Sequence, residues 1–121
     1  FMIKSYKDLI VWQKAVGLTL FVYKITKNFP KEEQFGLTSQ VRRAAVSIAA
    51  NIAEGRSRGT RKDFVHFLSM ACGSAAELET QLTIARGLSF ISIPDYNKVT
   101  ELLAEIGKML NSMISKLEAE S

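Results

Sequence analysis

The chain has 121 residues, 47% hydrophobic and 23% charged, with two prolines and a formal net charge of +4. This fits one globular domain, residues 1–121, with a core of useful size, and excludes a disordered polyelectrolyte. A single cysteine, Cys72, excludes an intrachain disulfide and fits a reducing cytoplasm; with one histidine beside it, no zinc site is expected.

Phe1 precedes Met2 and reads as a residue added to the natural start; FMIKSYKD carries no apolar signal region. The longest uncharged run, Phe64 to Ala76, is too short to span a membrane. A cytoplasmic protein with no membrane partner is expected.

The first helix is predicted over about 6–28. Leu9, Trp12, Val16, Leu20 and Tyr23 form one apolar stripe, and Val11, Ala15, Leu18, Val22 and Ile25 form an adjacent one. Two stripes make a broad buried surface. Phe29-Pro30 ends the segment, because a residue before proline is pushed out of the helical region.

The second helix is predicted over 37–54, with Gly55 as its C-terminal stop. It is apolar or small around nearly all its girth, so it must be covered on several sides, by a bundle and by further subunits. One narrow polar stripe runs along it. Arg43, Ser47, Asn51 and Glu54 fall within about 60° of one another at 100° per residue. They read as a structural polar network, with Glu77 and Gln81 as candidate partners for Arg43 and Asn51. A buried guanidinium needs such a carboxylate; an ordinary solvated stripe is the plainer alternative.

The turn that follows reads GRSRGTRK, Gly55 to Lys62, and gathers Arg56, Arg58, Arg61 and Lys62 without an acid. Its glycines allow close approach of a ligand. Arg61 and Lys62 fall in the first turn of the next helix, where the dipole disfavours cations. Their placement there points to an anionic partner, with a solvated, solubilising turn as the bland reading. The charge is also unevenly spread. Residues 1–62 carry 12 Lys and Arg against 4 Asp and Glu, whereas residues 63–121 carry 4 against 8. RNA or DNA binding through phosphates is expected, with Arg42 a further candidate.

The third helix is predicted over 60–88, opened by Thr60 with Asp63 three residues on. Its seam is Phe64, Leu68, Ala71, Ala75, Leu78, Leu82 and Ala85. The fourth is predicted over 93–119, opened by Ser92, Pro94 and Asp95 and striped by Val99, Leu103, Ile106, Leu110, Met113 and Leu117. Four long helices with short connections favour an all-α, antiparallel up-and-down bundle. Tyr6, Trp12, Phe21 and Tyr23 could stack bases, but at helical spacing they read as core or subunit-interface anchors. Catalysis has little support. His66 has no triad partners, Glu77 and Glu79 diverge on a helix, and no Walker spacing occurs. No catalytic residue, metal or cofactor is expected.

DLIVWQKA (Asp8–Ala15), FPKEEQFGL (Phe29–Leu37), QVRRAAVSIAANIAEG (Gln40–Gly55) and FLSMACGSAAELETQL (Phe67–Leu82) resemble bacterial four-helix-bundle proteins. Those proteins are encoded in intervening sequences of 23S ribosomal RNA genes and at other loci. The resemblance covers about residues 5–92, and the fourth helix matches only in pattern. Arg42, Arg43, Asn51, Glu54, Gly55, Glu77 and Gln81 fall on the family motif; Arg58, Arg61 and Lys62 match only as a basic region. The resemblance implies a homopentameric ring. It also implies similarity to the accessory variability protein of diversity-generating retroelements, a basic pentamer that binds nucleic acid and a reverse transcriptase. A protein-interaction scaffold that does not touch nucleic acid is the alternative reading.

Overall fold

A computed structural model of the chain describes residues 5–120. Its four α-helices are α1 (Ile10–Thr26), α2 (Leu37–Ser57), α3 (Arg61–Gly87) and α4 (Ile93–Ala119), and there are no strands among the described residues. Each helix packs on its chain neighbours and α4 closes onto α1. Side-chain contacts fix the directions. Thr19 meets Ala45 across α1 and α2, Ser47 meets Ser74 across α2 and α3, Cys72 meets Asn111 across α3 and α4, and Lys14 meets Glu105 across α1 and α4. Other pairs repeat each register in reverse order: Tyr23 with Arg42, Gly55 with Phe67, Thr83 with Tyr96, and Phe21 with Lys98. All four neighbouring pairs are therefore antiparallel, the arrangement of an up-and-down four-helix bundle.

The first predicted helix is divided. Tyr6–Asp8 forms a 3-10 turn, and Leu9 is extended before α1 begins. Ser5 Oγ accepts from the Lys7 backbone N–H, and the Gln13 side-chain amide donates to the Lys7 carbonyl, so the turn is closed by its own polar groups. Of the two stripes on α1, the fold buries one throughout and the other only at its start, where Leu9 is buried and Trp12 and Val16 are half-buried. Val11, Ala15, Leu18, Val22 and Ile25 enter the core, whereas Leu20 is 67% exposed and Tyr23 40%.

Helix α2 starts after Gly36 without a side chain at its N-cap. Glu33 takes that role from the preceding 3-10 turn (Lys31–Glu33), its Oε1 accepting from the Leu37 N–H at 3.0 Å. The helix passes through Gly55, expected as its stop, and ends at Ser57. The glycine is needed for packing instead. A Cβ there would stand 2.6 Å from Phe67 Cβ and 3.3 Å from Phe64 Cδ1. Gly55 thus lets α2 and α3 approach closely.

Helix α3 opens at Thr60, whose hydroxyl accepts from the Asp63 N–H, and α4 opens at Ser92, whose hydroxyl accepts from Asp95 N–H. Ser89, at φ +61°, ends α3 while the Phe90 N–H bonds back to the Ala85 carbonyl. Leu18, Ile48, Ile52, Leu68, Leu78, Leu82, Ile106 and Leu110 are fully buried at the centre. Each such side chain contributes roughly 1.5–3 kcal/mol by burial.

Candidate nucleic-acid interface

The α2–α3 turn lies at one end of the bundle. Gly59, at φ +84°, reverses the chain in three residues between Ser57 and Arg61, and a Cβ there would meet nothing within 4 Å. The backbone is thus open to a ligand. Gly55, Arg56, Gly59, Thr60, Arg61 and Glu120 border a shallow cavity of about 270 Å³ beside it.

Three of the four expected cations project from this turn into solvent, and Arg56 is half-buried. Arg58 Nε donates to Glu54 Oε2 at 2.8 Å, and its guanidinium lies 5.0 Å from the centre of the Phe67 ring. Arg61 Nη2 stands 4.0 Å from Glu120 Oε2. Both pairs are about half exposed. Exposed pairs of this kind contribute about 0–1 kcal/mol each, little enough for a phosphate to displace the carboxylate. Lys62 is exposed at the second position of α3, where the dipole disfavours it and Asp63 offsets it.

Arg42 does not join this group. It lies about 21 Å from Arg56 along α2. Its Nε donates to Thr26 Oγ1 at 2.8 Å, and its Nη2 approaches the Tyr23 carbonyl at 3.4 Å. The guanidinium also covers the Tyr23 ring at 4.5 Å. Thr26 in turn donates to the Val22 carbonyl. Arg42 therefore closes the last turn of α1, where a cation favours the helix dipole.

The polar stripe of α2 also divides. Asn51 Nδ2 donates to the Ser47 carbonyl and to Ser47 Oγ, and Ser47 Oγ lies 2.9 Å from Ser74 Oγ. Ser74 is thus the α3 member of the network, in place of the expected Glu77 and Gln81. Arg43 and Glu77 are exposed and form no ion pair among the described residues. In solvent, Arg43 needs no carboxylate. Glu54 turns outward to Arg58. Gln81 is buried, and its Oε1 has no hydrogen-bond partner among the described residues.

Sequence reasoning missed Ser74, Glu33 and Glu120. Glu33, four residues before Leu37, was the one with a local signal. Elsewhere, His66 is exposed with its ring against Phe67, and burial pushes the Cys72 thiol up from its ordinary pKa. No three His, Cys, Asp or Glu among the described residues cluster as metal ligands, and none of these helices is long and apolar enough to cross a membrane.

A crystal structure of a protein with unknown function from the S23 ribosomal protein family of Bacteroides thetaiotaomicron is similar to this chain. It superposes with a TM-score of 0.81 at 28% identity, covering 88% of this chain and 96% of that one. No curated protein matches the sequence. The model of the 23S rRNA-intervening sequence protein family matches residues 7–112, from the turn before α1 into α4, and the chain belongs to that family.

Proposed function

We propose that this protein is a non-enzymatic, homo-oligomeric helical bundle that binds RNA or DNA without sequence preference through its α2–α3 turn. The observation that carries the reading is the gathering of Arg56, Arg58, Arg61 and Lys62 around one turn whose backbone is open at Gly59. The carboxylate partners of Arg58 and Arg61 are exposed and weakly held. A backbone phosphodiester accepts from a guanidinium in bidentate fashion and carries the same single charge as the Glu it replaces, and release of the polyanion's counterions favours the exchange. Arg42 is left out of the proposed contact surface, because its guanidinium engages Thr26 and Tyr23 of α1.

Self-assembly is part of this proposal. Leu20 of α1, 67% exposed, lies beside Val46 of α2, which is 44% exposed. Contiguous apolar surface of this kind marks an interaction face. The proposed assembly is a ring of five copies. Repetition of the turn around that ring multiplies its phosphate contacts.

Fluorescence polarisation with a labelled single-stranded and a labelled duplex oligonucleotide tests the binding. Four phosphate contacts give a log–log salt slope near −3.6, so affinity falls about a hundredfold between 50 and 200 mM salt. Absence of measurable binding at about 50 mM salt would overturn the reading. A protein-docking scaffold is the second reading, favoured by the same exposed apolar surface. It expects Arg58→Glu with Arg61→Glu to leave protein-partner capture unchanged.

A further inference from the structure

Phe35 is 90% exposed, the most open of the large apolar side chains among the described residues. A phenyl ring left in water forgoes the stabilisation that burial brings. The ring sits on a turn that is closed by hydrogen bonds. Glu33 N–H bonds to the Pro30 carbonyl, Gln34 N–H to Lys31, and Gly36 N–H to Glu33, while Glu33 Oε1 holds the Leu37 N–H. The aromatic group is therefore presented at a fixed place at the end of the bundle opposite the basic turn.

A receptor of matching character exists on the same chain. Trp12, Val16, Leu20, Val46, Ala50 and Ala53 line an apolar groove of about 310 Å³ between α1 and α2. Alanines on one wall and an aromatic residue at one end leave room for a flat ring. The surrounding face is basic. Neither α1 nor α2 contains a carboxylate except Glu54, which holds Arg58. Lys24 and Arg43 are exposed, one turn from Leu20 and Val46 on the same helix faces. Phe35, by contrast, follows Glu32 and Glu33, with Lys31 before them. Phe35 cannot fill its own groove, because Ala50 lies about 20 Å further along α2.

We infer that Phe35 of one copy seats in the α1–α2 groove of a second copy, with Glu32 set against the cations of that face. This rests on the self-assembly reading and names its interface. The contact joins two unlike patches, so repetition by a single rotation closes a ring or extends a filament. An apolar anchor in a pocket with a charged rim is the usual form of an interface hot spot.

The test is light scattering over a concentration series for the parent, Phe35→Ala, Ala50→Glu and an equimolar mixture of the two variants. Both positions are exposed on the single chain, so the helical circular-dichroism signal stays unchanged. Phe35→Ala is expected to raise the concentration needed for assembly at least about 30-fold. Ala50→Glu is expected to do the same by placing a charge in the groove. In the mixture, one variant keeps its groove and the other its ring, so complexes of two chains return. A parent that stays monomeric overturns self-assembly, and this inference with it. If the parent assembles and Phe35→Ala assembles equally well, only the seating of Phe35 is overturned. Failure of the two folded variants to associate with each other likewise overturns the seating alone.

Discussion

The two ends of α2 both carry arginine, and they use it differently. At the N-terminal end, Arg42 donates to Thr26 Oγ1 and lies over Tyr23, so its guanidinium is tied to the end of α1. At the C-terminal end, Arg58 and Arg61 rest on half-exposed glutamates beside an open glycine turn. A guanidinium held by the hydroxyl of a buried threonine is part of the fold. One held by a solvated carboxylate is available to a polyanion. Charge counting treats the two alike, and only the partners distinguish them.

That contrast can be broken experimentally. The largest effect is expected at Gly55, whose close contact with Phe67 fixes where the basic turn sits. Gly55→Ala should destabilise the protein by about 3 kcal/mol in urea unfolding, because backbone or Phe67 must move. An unchanged midpoint would remove the close-approach argument. Next, replacing Arg56, Arg58, Arg61 and Lys62 together by Ser should weaken oligonucleotide binding about a hundredfold at 50 mM salt and flatten its salt slope. Arg42→Ala should do the reverse, costing about 1.5 kcal/mol of stability with binding unchanged. A loss of affinity there would merge the two ends into one surface. Arg58→Ala alone should shift stability by no more than about 0.5 kcal/mol, as expected of an exposed pair. The smallest effect concerns Cys72, whose thiol burial holds in its protonated form. Its alkylation near neutral pH should be slower than that of free cysteine, and urea should restore the faster rate.

Much of the fold could be read in advance, because helical periodicity and caps are local. Thr60–Asp63 and Ser92–Asp95 make the caps their sequence implies. On α1 the pattern was ambiguous. Two stripes are equally apolar, and nothing local says that the Val11–Ile25 stripe faces the core while Leu20 faces water. Gly55 carries the signature of a helix stop, but its packing against Phe67 outweighs that preference. The basic turn was visible as composition. Its partners were only partly so. Arg58 with Glu54 follows from a four-residue spacing, whereas Arg61 with Glu120 depends on where α4 ends against α3. Ser74 was hidden for the same reason, since pairing across helices is set by register.

The seam between α1 and α4, with Lys14 against Glu105 and Lys98 over the Phe21 ring, joins the two helices farthest apart in sequence. The α2–α3 pair needs only a tight turn to form. Closing a segment as long as the one between α1 and α4 carries a larger entropic cost, and that cost is recovered when the seam opens. The helices at the chain's extremes should therefore form the cooperative unit that detaches first, with α2 and α3 remaining paired. In native-state hydrogen exchange, amides around Ile48 and Leu78 should persist longest, and those around Ile106 should exchange sooner despite equal burial.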